Sequence, residues 1–212
     1  MRRVYLFQRD LAEARWLLGS VTKQAPRDAE SWYWAGVISY RSENYIQARD
    51  FFKKSIEISP DQSAAYVFMG QSHAAEGDYR QSIEWYESVL EIAPRDGLLL
   101  GNIAQAQLLL GRYQEAFDFA MRGMEADPRT HLQTIAARAA MKLADWSQAR
   151  DLMENAVTLD PDNITYGLNL TEICIELDDF YCAKNVFQNV LRINPVNPIP
   201  QQGLTVIGDI LP

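Results

Sequence analysis

Two histidines and two cysteines in 212 residues leave little material for catalysis or metal binding. His73 and His131 are too few for a His-based triad or a multi-His metal site. His73 falls on the packing side of its helix and reads as a satisfied, partly buried side chain. Cys174 and Cys182 supply neither a disulfide framework nor a zinc spacing, and read as small apolar packing residues in a reducing compartment. The chain has no phosphate-cradling glycine loop, zinc-protease helix motif or nucleophile elbow. Asp160-x-Asp162 begins like a calcium loop, but Thr165 stands where the turn needs Gly and Thr171 where a bidentate Glu belongs. Neither enzymatic activity nor a cofactor is expected from these residues.

Positive charge is also scarce. Lys and Arg number 20 against 28 Asp and Glu, a net charge of −8. That balance excludes the broad basic footprint of nucleic-acid binding and opposes attraction to anionic lipid. No apolar run approaches the roughly 20 residues that span a bilayer. Leu98–Leu110 comes nearest and is interrupted by Asn102, Gln105 and Gln107. After Arg2 and Arg3 the apolar stretch Val4–Phe7 is too short for a secretory signal. A cytoplasmic location is expected, with an envelope location open if a leader has been removed.

What is present is a beat. Pro26, Pro60, Pro94, Pro128, Pro161 and Pro195 fall 34, 34, 34, 33 and 34 residues apart. Two further series keep the same step: Leu11, Tyr45, Tyr79, Tyr113, Trp146 and Phe180, and Ala14, Ala48, Ser82, Ala116, Ala149 and Ala183. A fixed period of this length means stacked supersecondary units. Within Ala29–Gln62, Trp32, Ala35, Gly36 and Ser39 follow one helical stripe and Tyr45, Ala48, Phe52 and Ser55 another. Each period therefore predicts two antiparallel helices of about 12–15 residues. Gly77 and Gly111 supply left-handed stops for the first helix, and each proline ends the second. Asp61, Asp96 and Asp162 offer capping oxygens near the next helix start. The small series lets helix backbones approach closely, and the aromatic series is expected to wedge between repeats.

This pattern resembles the tetratricopeptide repeat family, most fully at Trp32, Gly36, Tyr45, Ala48, Phe52 and Pro60. The next unit keeps Tyr66, Gly70, Gly77, Tyr79, Tyr86 and Pro94, while Leu100, Gln133 and Gly167 replace the early Trp in later units. The expected organisation is one all-α solenoid: a partial repeat at 1–28, full repeats at 29–62, 63–96, 97–129, 130–163 and 164–197, and a capping helix at 198–212. The resemblance implies a right-handed superhelix of antiparallel helix pairs whose first helices line a concave groove. It also implies a protein or peptide segment as partner.

In that register the groove series begins with Tyr33, Val37, Tyr40 and Arg41, then Val67 and Gln71. Gln105, Leu108 and Leu109 follow, then His131, Arg138, Met141 and Lys142, and finally Glu172 with Ile175 and Glu176. Gln71, Gln105, Arg138 and Glu172 form a polar ladder suited to an extended backbone. Apolar partner side chains are expected against Tyr33, Tyr40 and Leu108–Leu109, with a carboxylate or phosphate near Arg138 and Lys142. The alternative is that these two cations simply pair with Glu172 and Glu176. The family subtype that clamps a C-terminal carboxylate is matched only by Asn102, so that clamp is not expected.

Neither end looks polar enough to cap a solenoid. Excision from a longer chain, self-association through an end and a tolerated imperfect cap all account for this. The leading expectation is a non-catalytic adaptor that recruits a protein segment. The alternatives are the substrate-recruiting portion of a larger enzyme, such as a glycosyltransferase, and a self-assembling or envelope-assembly scaffold.

Overall fold

A computed structural model of the protein describes residues 27–91, 93–127 and 130–210. The partial repeat, Leu11, Ala14, Pro26 and Pro128 lie outside the described residues. Those described fold as helices joined by short turns, without a strand among them. The chain divides after Pro94 into two compact units. In the first, α1 (Ala29–Arg41) and α2 (Tyr45–Ile58) form one hairpin, α3 (Ser63–Ala75) and α4 (Tyr79–Leu90) the next. The second unit stacks α5 (Gly97–Leu109) with α6 (Tyr113–Ala126), α7 (Thr130–Lys142) with α8 (Trp146–Leu159), and α9 (Ile164–Glu176) with α10 (Phe180–Ile193). It ends in α11 (Pro198–Ile210). Each unit is a stack of helix hairpins that share their core with their neighbours, the all-α repeat solenoid that the proline beat requires.

The hairpin bends show why the beat is so regular. Gly77 and Gly111 carry positive φ, 82° and 75°. Glu43, Ala144 and Asp178 hold the equivalent places in the other hairpins at 60°, 59° and 56°. A Cβ makes that left-handed conformation costly by about 1–2 kcal/mol. Replacing Ala144 with Gly should therefore raise stability by roughly 0.5–1 kcal/mol, and Gly77→Ala should lower it by a similar amount. Urea midpoints of the two variants test this; shifts in the same direction would contradict it.

Just beyond each bend the second helix is capped by a side chain. Asn44, Asp78, Asp145 and Asp179 accept from the backbone N–H three residues on, while Arg112 at the same place in α6 makes no such bond. At the first helices only Asp96 caps as expected, accepting from Leu99 N at 3.0 Å. Asp61 and Asp162 sit one residue too early. Gln62 and Asn163 occupy the cap positions, and of these only Asn163 makes the bond.

Among the described residues the small series is buried throughout: Ala48, Ser82, Ala116, Ala149 and Ala183 expose 0% of their surface. The aromatic series opens every second helix, yet Tyr45, Tyr79, Tyr113, Trp146 and Phe180 are only half-buried. Tyr113, Trp146 and Phe180 pack against the core of the second unit, and Tyr45 meets Tyr40 within its own hairpin. Arg49 and Arg150, each next to a small residue, reach into the following hairpin: Arg49 to Glu76, and Arg150 to Asp179 at 3.1 Å. The Cys182 N–H and the Arg150 guanidinium hold the Asp179 carboxyl below its usual range.

The cysteines depart from the sequence reading. Cys174 and Cys182 are eight residues apart in sequence, a spacing that suggested no pairing, and they are joined as a disulfide. The α9–α10 bend brings their Cα atoms to 5.8 Å, inside the span a disulfide closes.

Candidate functional site

On α7, packing claims Leu132, Ile135, Ala136, Ala139 and Ala140. Helical geometry leaves His131, Thr134, Arg138, Met141 and Lys142 on another face, where Arg138 and Lys142 are exposed. The pattern returns 34 residues later on α9. Leu170, Ile173 and Cys174 are buried, while Glu172, Ile175 and Glu176 are exposed. Two first helices thus carry an exposed pair one turn apart, cationic on α7 and anionic on α9. Among the described residues no ion pair joins either cation to either glutamate. The sequence alternative, in which the rows neutralise each other, is not what the structure shows.

The same face of α9 forms one wall of an open cleft of about 320 Å³. Leu168, Ile175, Phe187 of α10 and Ile199 of α11 supply its apolar lining, and Glu172 and Glu176 its charge. Ile175 and Ile199 are exposed there, at 41% and 55%. Large apolar side chains left in water beside charged ones are the usual chemistry of a contact surface.

On α5, Leu109 is exposed and Gln105 half-buried. Leu108, expected on the groove, is only 8% exposed and packs with Ala104, Ala116 and Ala120 in the core of the second unit. His131 is half-buried close against α5: a Cβ added at Gly101 would stand 3.1 Å from its Nε2. Asn102 Nδ2 is buried with no hydrogen-bond partner.

The first unit presents an aromatic surface. Tyr33 and Tyr40 of α1 both make edge-to-face contact with Phe68 on α3, at 5.9 and 5.4 Å between ring centres. Burial raises both phenol pKa values, and Arg41 beside Tyr33 acts in the opposite sense. These tyrosines are therefore partly committed to packing. Arg41 is exposed, and Val67 and Gln71 are half-buried. Val37 is 2% exposed inside a cluster with Ala48, Phe52, Ala65 and Met69, and so belongs to the core instead of the groove. His73 behaves as read, its Nδ1 lying 3.3 Å from Asp78 Oδ2.

Sequence reasoning missed Phe68, Phe187 and Ile199. Phe187 lies on a second helix, and Ile199 on a terminal helix that lacks the repeat signature. Among the described residues no group of three or more His, Cys, Asp or Glu is gathered closely enough to hold a metal ion, and no helix is long and apolar enough to cross a membrane.

Family profiles described as tetratricopeptide repeat match residues 61–129 and 3–63, together more than half of the sequence. The chain belongs to the tetratricopeptide repeat family. No curated protein matches it in sequence. Among solved structures this tetratricopeptide array is similar to PilW, a widely conserved type IV pilus biogenesis factor. The TM-score is 0.80 at 15% identity, covering 97% of this chain and 94% of that one. It is similar to YrrB, described as a tetratricopeptide protein with an unusual peptide-binding site, with a TM-score of 0.75 at 14% identity over 89% of this chain and 97% of that one. A chain of the APC/C hetero-tetramer Cut9–Hcn1 gives 0.72 at 16% identity; 96% of this chain is matched, but it spans only 40% of that longer one. At these identities the likeness is one of fold. Proteins of this fold generally mediate protein–protein contacts.

Proposed function

We propose that this tetratricopeptide repeat protein is a non-catalytic scaffold that holds a partner peptide or protein segment on the first-helix face of its second unit. The observation that carries this reading is the α9–α11 cleft, where exposed Ile175 and Ile199 lie beside unpaired Glu172 and Glu176. Arg138, Lys142 and Leu109 extend the surface with exposed groups that the fold itself does not use. That YrrB is described by a peptide-binding site supports the reading by analogy of fold.

A photo-crosslinking amino acid placed at Leu109 or Ile175 should capture the same partner from native extract. Placed at exposed Gln188 of α10, away from this face, it should not. Substituting Arg138 and Glu172 together by Ala should abolish the adducts while leaving the helical circular dichroism intact. Adducts formed only from Gln188 would move the binding surface elsewhere.

A further inference from the structure

The partner's own chemistry can be read from the order of charges along the second unit. Arg138 and Lys142 sit one turn apart on α7, both exposed. Glu172 and Glu176 hold the equivalent positions on α9, also exposed, and the next first helix, α11, brings Ile199 to an apolar cleft. Positive, negative and apolar steps therefore follow one another on successive first helices. Among the described residues no ion pair closes between the two rows. Each row keeps its own field, and each prefers the opposite charge from a third party.

A ligand carrying only acidic groups would be drawn to α7 and repelled at α9. One carrying only basic groups would meet the reverse. A purely apolar ligand would fill the cleft but leave four charges partly desolvated without partners. Only a segment with both signs in the right order satisfies all three steps.

Resting on the groove reading above, we propose that the bound segment is charge-ordered. An acidic residue lies against Arg138 and Lys142, a basic residue against Glu172 and Glu176, and a large aliphatic residue enters the cleft between Leu168, Ile175, Phe187 and Ile199. A helix with its side chains is about 10–12 Å across and an extended chain advances about 3.3 Å per residue, so the three residues fall roughly three to four apart. The occupant is a peptide of mixed charge, not an acidic tail.

The test uses two fluorescein-labelled synthetic peptides of identical composition in an Ala, Ser and Gln background. One carries Asp, Lys and Leu at three-residue spacing; the other exchanges Asp and Lys. Anisotropy titrations with the full chain at low salt should show the first bound about tenfold more tightly, the gap narrowing as salt screens the contacts. In the charge-inverted protein, Arg138→Glu, Lys142→Glu, Glu172→Lys and Glu176→Lys, the preference should reverse. All four positions are exposed, and circular dichroism confirms folding. Equal affinity for both peptides overturns the charge order while leaving the groove reading standing. Binding of neither peptide overturns the charge order as well, and the crosslinking experiment then decides the groove reading separately. Light scattering that shows the chain associating with itself across the titration range, with the adduct at Ile175 formed between copies, also overturns it, because another copy of the chain would then occupy the cleft.

Discussion

Phe52→Ala should destabilise the first unit by roughly 3–5 kcal/mol, the range for emptying a buried aromatic site. Phe52 is 0% exposed. It stacks on Phe68 at 5.4 Å with 20° between the rings and also meets Tyr33 at 6.1 Å. Its slot exists because Gly36, on the other arm of the hairpin, has no side chain: a Cβ there would lie 2.4 Å from the ring. Three elements converge on this ring, so the cavity cannot close by moving one of them.

The same geometry predicts a change of sign. In the parent protein Gly36→Ala forces the ring aside and should cost about 1–3 kcal/mol as overpacking, despite the better helix propensity of Ala. In the Phe52→Ala background the same substitution meets open space and should stabilise the protein by roughly 0.5–1 kcal/mol. Denaturant titrations of the four proteins, followed by tryptophan fluorescence, complete the cycle. A loss below about 1 kcal/mol for Phe52→Ala, or the same sign for Gly36→Ala in both backgrounds, would sink this account of the hairpin core.

The second large effect concerns the alanine-lined helix contacts of the second unit. Ala116→Phe should cost at least the ~1–3 kcal/mol of ordinary overpacking, and more if the hairpins must part. Ala116 is 0% exposed and shares its core with Ala104, Ala120, Ala136, Ala137, Ala139 and Ala140. The alanines hold the backbones near one another, and the long side chain a phenyl ring would first have to displace is that of Leu108, itself buried in the same core. Gln114→Phe, on the same helix but exposed, isolates the effect of packing from that of hydrophobicity and should stay within about 0.5 kcal/mol of the parent. Thermal melts that place both variants together would show that the small series has no steric role.

The periodic features were legible because each reports a local constraint repeated in phase. A bend needs a left-handed residue and a close helix pair needs a small one, so Gly77, Gly111 and Ala116 announce themselves. Arg138, Lys142, Glu172 and Glu176, which the register set on the groove face, are exposed. Depth was not legible. Val37 and Leu108, which the register set on the groove, are instead taken into the core, Val37 among large neighbours and Leu108 beside a tight alanine cluster. Phe68 escaped notice because its role depends on Tyr33 and Tyr40, one repeat earlier in the chain. The Cys174–Cys182 link escaped because an eight-residue spacing has no meaning until a bend folds it back. The cleft needed α11, whose apolar residues follow no repeat pattern.

The Gly36–Phe52 contact recurs as Gly70 against Tyr86, where a Cβ would again stand 2.4 Å from the ring. In the second unit Ala104 faces the alanine-rich stretch of α6 without any such ring. In the first unit ring and vacancy thus form a matched set on the two arms of one hairpin, whereas Phe187 of α10 fits against Gly203 of α11, across Pro195. Anyone recombining modules of this chain should splice at Pro60 or Pro94, where matched arms travel together, and should keep α10 with α11. A cut at the bends would mate an aromatic arm with a partner already filled.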